Sequence, residues 1–485
     1  YCSKTEYIQV ADARIYPDSM KVIIRRDAEM DPFENAEIIA NFTSKYHKID
    51  KAKAKISSRT SYIAEGYYDY SSGDGKTYNI FLDEITVNDA KQTVAKGEIS
   101  KEKNFKLSPE FDFYGSINLE ADSPELIFDG ATRINHECDK FSRNWMAFKA
   151  KLDKKNIQIP VNENMKDLNG NIITAGIVWR NSSVTDSVRL YPTFLSTMED
   201  KNDPKVITSS GYIQYDAAMK EYQIGSKDKL ANKEAPGTYL SLNTSTCSIY
   251  GDGKLDLGLD YGPSFMIESV GTVIYNQESG KTNLNVTLSI EAPLEEKIFR
   301  DLADNINEVP GLKKIQLAST SLEQALIEWT DQASVNKIKA DLESNKDIKN
   351  LPRVLKNKIV LTGLKLISCD EPGDPQRGLK SSEDQAVIAS IYGKPVLKYA
   401  SVKLFAEQRV AFGDRLGLLI DIPGSYLYFF DYDYRKKGVL NILSNDSELN
   451  QAIDSLKADK KRAKEFTYQT TRNSAFKSQF LRVFN

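Results

Sequence analysis

A short step recurs through the first third of the chain: a small residue, any residue, then a large apolar one. Ala13-Arg14-Ile15, Ala36-Glu37-Ile38 and Ala54-Lys55-Ile56 are three copies. Gly97-Glu98-Ile99 and Gly115-Ser116-Ile117 continue it, and Gly130-Ala131-Thr132-Arg133-Ile134 is a looser one. Ala64-Glu65-Gly66-Tyr67-Tyr68 and Ala95-Lys96-Gly97-Glu98-Ile99 are fuller copies with an Ala-x-Gly corner. Copies recur at roughly twenty-residue spacing, about the size of one unit in a stacked β architecture. Period-2 runs such as Lys21–Arg25 and Asn79–Ile85 lie between them. Turn chemistry at Pro17-Asp18, Ser72-Gly73-Asp74-Gly75 and Ser123-Pro124 bounds these runs, as expected of strands. The pattern predicts a mainly β chain with a stacked β-repeat N-terminal region, solenoid or jellyroll-like. An ordinary sandwich is the competing arrangement.

The Ala-x-Gly-x-apolar and Ala-x-Ile steps over residues 8–135 resemble the repeats of OstA-like proteins, the lipopolysaccharide-transport group. The resemblance implies an open β-jellyroll whose rungs form an apolar groove for lipid chains. It also implies the periplasm or outer membrane of a gram-negative envelope. The spacing departs from that pattern between Ile56 and Ile99, where Tyr68 has to serve as a rung position. No lipid-binding residue is carried over, because the family has no fixed signature to match here.

Three regions are expected: a β-repeat domain over 1–155, a β-rich domain or continuation of the stack over 156–290, and an α+β domain over 291–485. Ile157–Val161, Ile172–Trp179, Ser187–Phe194, Gly211–Tyr215, Thr238–Leu242 and Thr282–Ile290 alternate or carry β-branched runs. Pro160 and the Asn-rich stretch Asn162–Asn171 mark a boundary or a long loop. At Pro293 the period changes to 3.6, with Leu294, Ile298, Leu302 and Ile306 in one stripe before Pro310-Gly311. Thr320-Ser321-Leu322-Glu323 is a capping box that should open a helix burying Leu322, Ala325, Leu326, Trp329 and Ala333. Strands follow at Lys358–Ile367, Ala386–Ile391, Val396–Phe405, Arg415–Ile422 and Tyr426–Tyr434, then a helix capped at Asn445-Asp446-Ser447-Glu448 that carries Leu449, Ile453 and Leu456. That order suits an antiparallel sheet with helices at the C-terminus.

Composition narrows the function. A net charge of -3 with both signs interspersed offers no electrostatic footprint for nucleic acid. The lysines of Lys48–Lys55 alternate with other residues, as on an exposed strand face. Twenty-five tyrosines suit a β-rich envelope or secreted protein. No run of eighteen apolar residues exists, so no transmembrane helix is expected. Phe476, Phe480 and Phe484 stand at helical spacing near the end, unlike the strand alternation of a membrane barrel. Cys2, Cys138, Cys247 and Cys369 are far apart and permit three pairings. So few in so long a chain do not make a disulfide scaffold. A chain that begins at Tyr1 is expected to be processed or cut from something longer. A lipidated Cys2 is an alternative that Tyr1, ahead of it, does not suit.

No catalytic, cofactor or metal constellation is expected. Gly75-Lys76-Thr77 and Gly280-Lys281-Thr282 lack the upstream Gly of a phosphate loop, having Tyr70 and Tyr275 there, and read as polar turns. His136-Glu137-Cys138-Asp139 has no second cluster for zinc. Asp252-Gly253-Lys254-Leu255-Asp256 lacks the remaining ligands of a calcium loop and reads as a turn. The candidate binding residues are Tyr426, Tyr428, Phe430, Tyr432 and Tyr434, one face of the run YLYFFDYDY. They could stack against sugar or peptide, or pack as core. The expected function is therefore a non-enzymatic cell-envelope protein, periplasmic or outer-membrane-associated. It would be a binding or scaffold subunit with an envelope protein partner. The alternatives are a lipid-handling β-groove module and a carbohydrate-active hydrolase working through two acids.

Overall fold

The structure is a computed structural model. It describes residues 7–18, 31–73, 75–182, 187–258, 266–291, 296–313, 331–343, 358–369, 378–392, 394–407, 415–422, 425–433, 439–458 and 467–470. Strand outweighs helix, 59% to 11%, so the chain is mainly β, and its sheets are antiparallel but for one short parallel pair. It divides into two compact units, residues 1–173 with 211–222, and residues 174–210 with 223–485.

The first unit is built on one meander. Its strands are β1 (Ile8–Val10), β2 (Ala13–Tyr16), β3 (Phe33–Ala40), β4 (His47–Ser58), β5 (Ser61–Ser71), β6 (Thr77–Val87), β7 (Thr93–Ile99), β8 (Lys106–Ser108), β9 (Phe111–Glu120), β10 (Leu126–Ile134) and β11 (Met146–Leu152). Each pairs with its sequence neighbour, except that β7 pairs β9 and β8 sits to the side on β9. The small-x-apolar steps are consecutive inward positions, two apart as strand alternation requires. Ile15, Ile38, Ile56, Ile99, Ile117 and Ile134 are all buried. Small residues face large ones across the ladder: Gly66 pairs with Leu82, Gly97 with Ile117 and Gly130 with Phe148. That alternation lets a curled sheet keep a packed inner face.

The sheet curls into a half-barrel, and contacts far apart in sequence hold the curl. Asp12 Oδ1 accepts both the backbone N–H and the hydroxyl of Thr93, at 2.9 and 2.7 Å. The Tyr62 and Thr93 hydroxyls bond at 2.9 Å, and Tyr70 donates to the Leu107 carbonyl at 2.8 Å. His47 Nε2 lies 2.6 Å from the Ser123 carbonyl and so carries the proton. Tyr62, Tyr70, Phe105, Phe111, Phe113 and Phe128 fill the interior as fully buried side chains.

In the second unit Tyr239–Asn243, Ile249–Leu255, Met266–Tyr275, Thr282–Glu291 and Lys358–Cys369 are successive antiparallel neighbours. Gly378–Ser381 and Gln385–Ile391 both bridge Lys358–Cys369 to Lys394–Glu407. Arg415–Asp421, Leu427–Asp433 and Val439–Ser444 follow, and Thr467–Thr470 joins last, in parallel. Ile173–Ser182 lies between Ser187–Thr197 and Lys205–Thr208 in a separate three-stranded sheet.

The helix Glu296–Glu308 buries Ile298, Phe299, Leu302, Ala303 and Ile306. It packs on the strands Gln385–Ile391 and Lys394–Glu407. Buried Lys398 donates to the Ile306 and Asn307 carbonyls at its C-terminal end, where a cation suits unpaired carbonyls. Pro293 and the capping box at Thr320 lie outside the described residues. The helix seen next is Gln332–Glu343, with Asp331 accepting from Ser334 N–H, and Ala333 is exposed on it rather than buried. Its inward residues are Val335 and Ile338, and Leu322, Ala325, Leu326 and Trp329 of the expected stripe lie outside the described residues.

Candidate functional site

The middle of the aromatic row lies on the strand Leu427–Asp433 and is core. Tyr428, Phe430 and Tyr432 are buried, Tyr426 is half-buried, and Tyr434 lies outside the described residues. The flanking strands explain the burial. Tyr428, Phe430 and Tyr432 sit opposite Ile420, Leu418 and Leu416 on one side. Ile442 and Leu440 flank Phe430 and Tyr432 on the other. Leu419 and Phe429, with Leu427 and Leu443, form a second apolar cluster, so both faces of this strand are covered. The open stacking surface that the row allowed is packed instead. The Tyr428 hydroxyl reaches Asp446 in the interior, and burial beside that carboxylate pushes its ionisation far up.

Exposed apolar surface appears elsewhere, on the outer face of β4, β5 and β6. Alternation along YIAEGYYDY buries Tyr62, Ala64, Gly66 and Tyr68, which leaves Ile63, Glu65 and Tyr67 outward. Ile63 is 55% exposed and Phe81 37%. Tyr67 is the register partner of Phe81, and their rings meet at 5.2 Å. Beside them is a depression of about 410 Å³ lined by Pro32, Lys53, Lys55, Ile63, Ala64, Glu65, Asp83, Glu84, Ile85 and Thr86. Bulges create it: register slips between Asp50 and Lys53, between Ala64 and Gly66, and between Leu82 and Glu84. Such slips bend a strand and re-aim its side chains.

Charge around the depression is arranged by strand. Lys53 and Lys55 stand on β4, Glu65 on β5 and Asp83 and Glu84 on β6. Lys53 is paired with Glu34 at 3.1 Å. Lys48, further along β4, pairs with Glu37 and Asp50, and those bonds raise its ammonium above the usual lysine range. Glu65, Asp83 and Glu84 are all exposed, whereas a general-acid carboxyl is held protonated by burial. The site therefore suits contact better than acid–base work: an apolar centre with basic residues on one flank and acidic ones on the other. The repeat marks this stretch by its inward residues. The outward ones, Ile63 and Tyr67, could be read only once the alternation was anchored to a buried face.

The remaining sequence motifs resolve as structure. Gly75 and Gly280 sit in turns with left-handed φ of 80° and 67°. Asp252–Leu255 is not the turn expected: it lies in the strand Ile249–Leu255, where Asp252 pairs with buried Lys229 at 2.9 Å. His47 is buried, and desolvation lowers its pKa. His136 Nδ1 accepts from the Cys138 N–H, and burial lowers its pKa to about 4. Cys138 and Cys247 are each engaged in a disulfide. Among the described residues no group of three His, Cys, Asp or Glu could hold a metal ion, and no helix is long and apolar enough to cross a membrane. No protein-family model matches the chain, and no curated protein or solved structure matches it either.

Proposed function

We propose that the chain is a non-enzymatic cell-envelope protein of the gram-negative type, periplasmic or outer-membrane-associated. It acts as a binding or scaffold subunit of an outer-membrane-associated assembly. The observation that carries this reading is the outward patch of Ile63, Tyr67 and Phe81 beside its charged depression. Exposed apolar side chains with a charged rim are the anatomy of a protein-contact surface. The disulfide-bonded cysteines support an oxidising compartment. The packed interior of the curled sheet favours a scaffold over a lipid-handling groove, because its own aromatic side chains occupy the space a lipid chain would need.

The test is native mass spectrometry of the protein purified from its envelope in mild detergent, with Ile63→Asp and Phe81→Asp compared with the unaltered chain. A stoichiometric protein assembly that both variants lose while keeping their melting temperature is the expected result. A lone chain carrying lipid mass would instead establish the groove reading. An assembly indifferent to both substitutions would place the contact elsewhere.

A further inference from the structure

A second outward cluster surrounds the indole of Trp145, at the opposite end of the first unit's sheet. Strand alternation sends Tyr114 of β9 and Arg133 of β10 to the same face, and both are half-buried. Trp145, just ahead of β11, meets the Tyr114 ring edge-on at 4.8 Å. Arg133 Cζ lies 4.7 Å from the Trp145 ring centroid. Lys101 Nζ, from the short turn Lys101–Lys103, lies 5.6 Å from the same ring and 5.7 Å from that of Tyr114. Aromatic faces attract cations and hold them in place.

The neighbouring carboxylates are already engaged. Asp112 Oδ2 accepts from Arg133 Nε at 2.8 Å, and its Oδ1 takes Asn135 at 2.7 Å and Lys106 at 3.2 Å. Burial works against the Asp112 carboxylate, but these three donors outweigh it and hold the group below its usual range. Glu102, next to Lys101, bonds Ser100 and its own N–H. Arg133 is thus fixed through Nε. Among the described residues no hydrogen bond is made by its Nη groups, by Lys101 Nζ or by the Trp145 indole N–H. The cluster therefore presents donors that its own carboxylates leave unfilled.

We propose that this cluster binds an acidic sugar, one carrying a carboxylate or a phosphate. The anion completes the Arg133 fork and the Lys101 ammonium, the strong kind of hydrogen bond. The half-exposed rims of the Tyr114 and Trp145 rings, which border the two cations, supply apolar surface for the C–H groups of the sugar. Neither a bare anion nor a neutral sugar uses both halves. This site is distinct from the Ile63 patch and stands whether or not that patch binds protein.

Calorimetric titration of the purified full chain decides it, with oligogalacturonate, glucose 6-phosphate, a neutral oligosaccharide, inorganic phosphate and oligoglutamate as probes. The expected result is binding of at least one acidic sugar more tightly than any of the other three probes. Lys101→Gln should weaken it about tenfold, the loss of one charged hydrogen bond, and Trp145→Ala roughly fivefold, the loss of a ring contact. Lys101 is exposed, so its variant keeps the fold, and unchanged melting temperatures check both proteins. Equal affinity for inorganic phosphate would reduce the cluster to an anion site. Equal affinity for oligoglutamate would make it a peptide site, and no binding at all would overturn it outright.

Discussion

The Tyr428 hydroxyl donates to Asp446 Oδ2 at 3.1 Å, joining the aromatic strand to the helix Ser447–Ala458. Asn305 of the helix Glu296–Glu308 donates to the same oxygen at 2.7 Å. The other oxygen, Oδ1, accepts the N–H groups of Glu448 and Leu449 and caps the helix. One carboxylate therefore ties two helices and a strand together. Asp446→Ala should lose the cap and leave the buried Tyr428 hydroxyl and the half-buried Asn305 amide without this acceptor, at about 2–4 kcal/mol. Tyr428→Phe removes one donor and should cost about 1 kcal/mol. Urea denaturation of both variants checks the order; equal losses would show that the cap alone matters.

Gly66 lies beneath Ile49, and here the repeat has its clearest physical cause. A Cβ at Gly66 would stand 2.7 Å from Ile49 Cγ2 and 3.1 Å from Ala52 Cβ. Gly66→Ala should therefore destabilise by about 1–3 kcal/mol through overpacking. Ile49→Ala removes the clashing carbon, so the double variant should be more stable than the two single losses added together. Gly73, with nothing within 4 Å of its Cβ position, is the control, and Gly73→Ala should leave the melting temperature unchanged. Strict additivity at Gly66 and Ile49 would mean that the glycine is needed for its backbone and not for space.

Much of this architecture was legible in the residues. The Ala-x-Ile and Gly-x-Ile steps gave the inward positions, because strand period is two and only one face of the meander is buried. The stripe Ile298, Leu302 and Ile306 gave its helix for the same reason at period 3.6. In the aromatic row alternation says which residues share a face and not whether that face is covered; Leu416, Leu418 and Ile420 on the next strand cover Tyr432, Phe430 and Tyr428. The Trp145 cluster was not legible, since Lys101, Tyr114, Arg133 and Trp145 meet only through the register of β9 and β10.

The two histidines make a pH prediction clean, because the chain has no others. Burial lowers the pKa of both, that of His136 to about 4, while the unfolded chain titrates near 6.5. The unfolded state thus binds more protons between these values, and stability falls as the pH falls. The histidine contribution is fully present above pH 6.5 and is lost progressively toward pH 4, at roughly 3 kcal/mol for His136. Equilibrium denaturation from pH 7.5 to 4 should show this slope, and His136→Gln should flatten it. A slope that begins only below pH 4 would assign the acid sensitivity to carboxylates such as Asp112 instead.

Cys138 and Cys247 predict how the protein responds to reductant. Both are disulfide-bonded, and Cys138 lies buried against the His136 ring through its backbone N–H. A disulfide constrains the unfolded chain, and removing a native one typically costs about 2–5 kcal/mol. Dithiothreitol should therefore lower the melting temperature, and Cys138→Ser and Cys247→Ser should each do so without it. Alkylation in denaturant before reduction should leave both cysteines unlabelled, with peptide mapping then giving the pairing that four cysteines leave open. Full labelling of Cys138 and Cys247 in protein taken directly from its native compartment would show the thiols reduced there. It would also remove the main support for an oxidising, extracytoplasmic location, while leaving the Ile63 and Trp145 surfaces to be judged on their own binding tests.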